Sequence, residues 1–217
     1  MNKNQWNRIM FSLLGVFLIG IAIGIARLAD LGTDPFSTFN LGMSATFGLS
    51  FGTYLLLVNA IGLVLVFIFG RHLLGIGTIF NIAIVGYVSD FTVSTILGQF
   101  GDSYSLAMRI LFAVIGSLVL AIGAGMYIAA DRGVAPYDAM PIIIEERSNG
   151  KISFQVARII SDIICIIIGF LLGATVGVVT VVSGFLMGPL VQHFRKYFSD
   201  MLLESEQLNL KKDAESV

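Results

Sequence analysis

Long apolar runs alternate with short polar punctuation along the whole chain. The long runs cover about 9–29, 52–70, 74–97, 109–130, 153–172 and 174–194. A helix needs about 20 residues to cross the hydrocarbon core of a bilayer, and each run meets that length. Two shorter segments, 35–48 and 136–147, follow the first and fourth runs. Fourteen helical residues reach only about 21 Å, short of the roughly 30 Å core. The pattern therefore predicts an all-α, polytopic membrane protein with six long spans and two short broken or re-entrant helices. The alternative, in which the short helices also cross, has eight spans.

Both short segments begin at the same kind of break. The first break is Asp30-Leu-Gly-Thr-Asp-Pro-Phe-Ser37, and the second is Asp131-Arg-Gly-Val-Ala-Pro-Tyr-Asp138. Gly32 and Gly133 suit a left-handed helix C-cap, and Pro35 and Pro136 suit the first position of a new helix. Asp34 is placed to cap the first of these. The two breaks lie 101 residues apart. At that offset, ten of the 28 positions from Arg8 to Pro35 are identical, among them Arg8/Arg109, Gly15/Gly116, Asp30/Asp131 and Pro35/Pro136. Apolar composition does not readily produce a shared Arg, Asp, Gly and Pro. The chain is expected to hold two copies of one unit, 1–100 and 101–200, followed by a polar tail over 201–217.

Composition agrees with the bilayer reading. Hydrophobic residues make up 56% of the 217 and charged residues 12%, with a mean hydropathy of +0.90, against roughly 25% charged in soluble domains. A net charge of −1 gives no reason to expect nucleic acid as a partner. The lone Cys165 excludes an intramolecular disulfide. The first run resembles a signal peptide, but its counterpart at 109–130 lies in mid-chain, so it is expected to stay as the first span. The tail 195–217, with Arg195, Lys196, Lys211 and Lys212, is expected to end disordered.

Basic residues set the orientation. With non-crossing short helices, Lys3, Arg8, Arg71, His72, Arg132, Arg147, Lys151 and the tail share one side. Arg27, Asp30, Asp34 and Asp102 fall on the other. The basic side, with both termini, is expected to be cytoplasmic. Three spans per copy is odd, so the second copy is inverted relative to the first.

Ionisable groups within apolar runs are the candidate functional residues. Asp162 lies in the fifth run, four residues after Arg158, at the spacing that pairs side chains on one helix face. Its counterpart in the first copy is Asn59. The paired breaks add Asp30, Asp34, Asp131 and Asp138, since interrupted helices at matching places in two halves mark solute sites in many transporters. These seven residues are the expected solute- or ion-binding set. The bland alternatives are a structural ion pair for Arg158 and Asp162 and capped surface turns for the breaks. No Cys/His metal cluster, Walker motif, Gly-x-Ser-x-Gly or His-Glu-x-x-His occurs, and His72 and His193 are isolated. Neither an enzyme nor a cofactor or metal site is expected.

The span leading into Leu-Gly-Thr-Asp-Pro-Phe-Ser-Thr, together with the later Gly-Val-Ala-Pro-Tyr-Asp, resembles the YczE-like branch of the YczE/YyaS/YitT bacterial membrane proteins over roughly 8–195. The resemblance implies a multi-pass protein of the bacterial cytoplasmic membrane and no particular substrate. A longer type of relative has a soluble C-terminal domain, which this chain is expected to lack. The leading expectation is a transporter or permease-like protein with its pathway between the repeats. Its partners are the lipid bilayer and a small polar solute or ion, with a homo-oligomer left open. The alternative is a non-transporting assembly or regulatory partner, recruited through a small-residue seam such as Gly20-x-x-x-Gly24.

Overall fold

The computed structural model describes residues 3–215. Eight α-helices follow one another: α1 (Lys3–Ala29), α2 (Pro35–Phe47), α3 (Phe51–Phe69), α4 (Ile76–Phe100), α5 (Leu106–Ala129), α6 (Pro136–Arg147), α7 (Phe154–Leu171) and α8 (Val178–Glu215). A single 3₁₀ turn, Arg71–Leu73, joins α3 to α4. Among the described residues, α1, α3, α4, α5 and α7 are long and apolar enough to cross a membrane. Large apolar side chains such as Ile61, Phe91, Leu118, Ile163 and Phe185 face outward. An apolar exterior of this kind belongs against lipid. The protein is an all-helical, polytopic membrane protein.

The breaks form as their residues dictate. Asp34 is extended and accepts a hydrogen bond from Ser37 N at 3.0 Å, and Pro35 opens α2. Gly32 and Gly133 adopt φ of +92° and +99°, a region that glycine enters at little cost. Asp30 and Asp131 sit at φ of 50° and 51°, the left-handed conformation that Asp tolerates better than most residues. Each break docks on the start of a helix in the other half of the chain. Gly77 N donates to Arg132 O at 2.8 Å, and Val179 N donates to Leu31 O at 3.1 Å.

Small residues fix the helix directions by where they touch. Gly15 lies against Gly123 and Tyr127 while Gly116 lies against Ala22 and Ala26, so α1 and α5 are antiparallel. Gly77 meets Ser12, Gly20 meets Val88 and Gly24 meets Thr92, so α4 runs parallel to α1. Gly125 packs on Phe194 and Arg195, and the break at Leu31 packs on Gly177, so α8 runs antiparallel to α1. The bundle thus has two ends. The near end holds the start of α1, the 3₁₀ turn and the break at 130–135. The far end holds the break at 30–34, the 101–105 loop and the start of α8. The seam Gly20-x-x-x-Gly24, which the alternative reading offered for recruiting another span, is occupied by α4 of the same chain.

The two short helices begin part-way along their neighbours. Pro136 packs on Gly62 near the middle of α3, and Ile143 packs on Gly70 at its end, so α6 covers only the second half of α3. Thr38 and Gly42 meet Gly169, and Gly42 also meets Leu172, so α2 covers the last part of α7. Both short helices run outward from the interior, toward opposite ends.

The last helix corrects one expectation. The run at 174–194 opens α8 but is not among the apolar candidates, because Gly188, Pro189, Gln192 and His193 dilute it. The tail expected to end disordered is helical to Glu215. After Pro189 no Gly or Pro interrupts it, and Leu, Glu, Lys and Gln are good helix formers. Its surface also docks on α1: Phe198 packs edge-on against Phe11 with centroids 6.0 Å apart, and Asn209 donates to Asn4 at 2.7 Å. Residues 216–217 of that expectation lie outside the described residues.

Candidate polar site where the broken helices meet

The N-termini of α2 and α6 face each other. The rings of Phe36 and Tyr137 stack with centroids 4.1 Å apart and planes 13° from parallel. Phe36 also packs on the buried cluster of Val16, Ile19, Ile23, Val85 and Tyr127, at mid-length of α1. Each helix N-terminus leaves backbone N–H groups free and carries a partial positive charge. Two such ends therefore converge in the interior, and carboxylates gather on them. Asp34 caps α2, and Asp138 lies in the first turn of α6.

Arg158 on α7 ties the rest together. Its Nη1 bonds Asp138 Oδ1 at 2.5 Å, and its Nε lies 3.3 Å from the Asp162 carboxylate. The guanidinium sits 4.7 Å from the centroid of the Tyr137 ring, within cation–π range. The Tyr137 hydroxyl donates to Asp162 Oδ1 at 2.5 Å, and Cys165 lies beside that hydroxyl. Asp34 is within electrostatic reach of Arg158 and Asp162. Asn59 is buried one turn before Gly62, the glycine against which Pro136 packs. The formal balance of the cluster is one cation against three carboxylates, offset in part by the two helix ends. Among the described residues, no group of three His, Cys, Asp or Glu side chains is arranged to hold a metal ion.

Of the seven residues expected from the sequence, Asp34, Asp138, Arg158 and Asp162 converge here and Asn59 flanks them. Asp30 and Asp131 do not. Asp30 lies at the far end, where it accepts from Arg109 Nη1 at 3.0 Å and from Thr175 Oγ1 at 2.9 Å. Asp131 lies at the near end, within electrostatic reach of Arg8. Asp30 also lines a cavity of about 390 Å³ that opens among Arg27, Thr33, Leu41, Val93 and the 173–175 loop.

Three features were not legible in the sequence, two at the site and one toward the far end. Phe36 and Tyr137 follow the paired prolines at the same 101-residue offset, which marked them as equivalents but not as partners. Cys165 lies one turn after Asp162, on the same face of α7. Arg27, placed only on one side by sequence, bonds Asp90 Oδ1 at 2.7 Å and Ser89 Oγ at 3.0 Å, while Asp90 Oδ2 accepts from Gly52 N at 2.7 Å.

A family model described as a family of unknown function, DUF6198, matches residues 6–196. An uncharacterized protein of Haemophilus influenzae is 27% identical over 88% of this chain and 84% of its own length. The uncharacterized membrane protein YczE of Bacillus subtilis is 23% identical over 82% and 80%. The uncharacterized protein YyaS of the same organism is 25% identical over 85% and 90%. These matches agree with the resemblance seen in the breaks. No solved structure matches the chain.

Proposed function

We propose that this chain, which belongs to the DUF6198 family, is a transporter or permease-like protein that moves a small polar solute between two inverted repeats, 1–100 and 101–200. The observation that carries the reading is the meeting of two broken-helix N-termini at the Phe36–Tyr137 stack, beside an interior cluster of charges. Charged groups inside a bilayer are costly and are kept where they serve a path or a pump. Broken helices supply polar backbone at that depth without exposing it to lipid.

The inverted arrangement has its own support. Helices of equal rank, α1 and α5, run antiparallel, and the two breaks dock through equivalent backbone bonds. In this reading six helices cross and α2 and α6 dip half-way from opposite faces. Arg8, Arg71, Arg132, Arg147, Lys151, Arg195 and Lys196 then share the near end, whereas the far end holds Arg27 and Arg109, each bonded to a carboxylate. That bias makes the near end and both termini cytoplasmic in a bacterial cytoplasmic membrane.

The test is uptake by the full chain in proteoliposomes, across a panel of small cations, anions, amines and neutral polar solutes. The reading expects at least one class to move, and that flux to fall at least tenfold in Asp138→Asn and Arg158→Gln. Proteoliposomes that take up nothing in the panel, or a flux indifferent to both substitutions, would overturn it.

A further inference from the structure

Arg8 and Arg109 are equivalent at the 101-residue offset, and so are Asp30 and Asp131. The two aspartates share nearly the same backbone conformation, at φ of 50° and 51°. They sit at opposite ends of the α1/α5 pair, next to the arginine of the other half. Yet only one cross-pair is bonded. At the far end Arg109 Nη1 lies 3.0 Å from Asp30 Oδ2, and Thr175 braces the same carboxylate. At the near end Arg8 turns to Glu206, with Nε 2.7 Å and Nη2 3.3 Å from its two oxygens. Its Nη1 reaches only Ala130 O, at 3.5 Å, one residue short of Asp131.

The competitor has no counterpart in the first half. Glu206 lies on the extension of α8, whereas α4, the helix of equal rank, stops at Phe100. Between the two ends, α1 and α5 are in close backbone contact, from Gly15 on Gly123 to Ala22 and Ala26 on Gly116. Close packing between two ends that are tied by ion pairs, an exposed one at Arg109–Asp30 and a part-buried one at Arg8–Glu206, allows a pivot in which drawing one end together eases the other.

We infer that Arg109–Asp30 and Arg8–Asp131 are equivalent latches made in turn, and that Glu206, by holding Arg8, keeps the far latch closed. The inference supplies a motion for the transport reading and rests on it for its purpose. Its test needs no solute, so the two can fail separately.

The test measures thiol labelling of the full chain in membrane vesicles. Ala174→Cys, in the loop lining the far-end cavity, serves as reporter in a Cys165→Ser background. Releasing Arg8 with Glu206→Gln is expected to raise the labelling rate about two- to fivefold, the range that a surface ion pair can shift. Breaking the far latch directly with Arg109→Gln gives the same rise. Adding Asp131→Asn to Glu206→Gln brings the rate back, since Arg8 then has no second carboxylate. Should Glu206→Gln fail to assemble, Glu206→Asp, one methylene too short to keep the bond to Arg8, takes its place with the same expectation. A rate unmoved by loss of Glu206 while Arg109→Gln raises it means that the ends are independent, and overturns the inference. A rise that Asp131→Asn does not reverse overturns it equally.

Discussion

Phe36 and Tyr137, 101 residues apart in the chain, are in face-to-face contact in the interior of the bundle. Each follows the proline that opens a short helix, so one aromatic pair joins both breaks. Removing a fully buried aromatic ring costs about 3–5 kcal/mol, and the part-buried Phe36 is expected to cost somewhat less. Phe36→Ala is expected to lower the detergent melting temperature by many degrees, and Phe36→Leu by much less. Equal effects would mean that the ring is not packed as described.

Tyr137→Phe separates the stack from the hydroxyl. The ring and the stack remain, while Asp162 loses one donor. A hydrogen bond to a charged group contributes about 1.5–3 kcal/mol. Melting is expected to shift modestly, whereas any solute flux falls more steeply than stability. Loss of folding in Tyr137→Phe would instead assign the hydroxyl a structural role alone.

Arg158 holds two carboxylates, and its substitutes should rank accordingly. Arg158→Lys keeps the charge but not the two-pronged geometry. Arg158→Met leaves Asp138 and Asp162 without their cation. These groups are only part-buried, so the cost falls between that of surface and fully buried pairs, about 1–3 kcal/mol. The expected order of melting temperature is Arg, then Lys, then Met, and Asp138→Asn with Asp162→Asn should recover part of the Met loss. A Met variant as stable as the parent contradicts the pairing.

The docking of α8 on α1 is expected to depend on pH. The Arg8 guanidinium, hydrogen-bonded to Glu206 and aided by Arg132, holds the Glu206 carboxyl below the usual carboxylate range. A carboxyl lowered in the folded state adds stability that is full above its unfolded value and disappears as pH falls through the lowered one. Spin labels at positions 4 and 209, whose asparagines are hydrogen-bonded in the parent, should show a strong propensity for close approach at neutral pH and lose that propensity in acid below the ordinary carboxylate range. Glu206→Gln should remove the pH dependence. A propensity that stays level down to strong acid would show that Glu206 does not hold the extension.

Topology can be checked with single cysteines in a Cys165→Ser background. Ser103 lies in the far-end loop, and Ser148 follows α6 at the near end. An impermeant thiol reagent added to intact cells is expected to label 103 and spare 148. Labelling of both from outside would exclude the six-crossing reading.

What was legible in the sequence was local. Gly32, Gly133, Pro35 and Pro136 act within a few residues of themselves, through φ and a missing N–H, so both breaks and the bounds of the short helices could be placed to within a residue or so. Arg158 and Asp162 lie one turn apart on a single helix, and their pairing followed from that spacing. Partners distant in sequence were not legible. Arg27 and Asp90 come together because α1 and α4 run parallel, and the apolar faces of membrane helices encode that choice only through the places where glycines permit approach. The tail misled for the opposite reason: its high charge suggested disorder, while its helix propensity and its contacts with Phe11, Arg8 and Asn4 belong to tertiary structure.

The head-to-head arrangement of α2 and α6 has a consequence for voltage. Two half-helices pointing outward from one stack have dipoles whose components along the bundle axis oppose each other. With that axis along the membrane normal, they do not bias an ion toward either face. A unit charge travelling from the stack to either surface crosses about half the membrane field, about 1.2 kcal/mol per 100 mV. A solute carrying charge through this fold would thus gain no net bias from the half-helix dipoles, and rectification of its current would have to originate in parts that break the symmetry: the Asp138, Arg158 and Asp162 charges, all from the second half, and the Glu206-bearing extension.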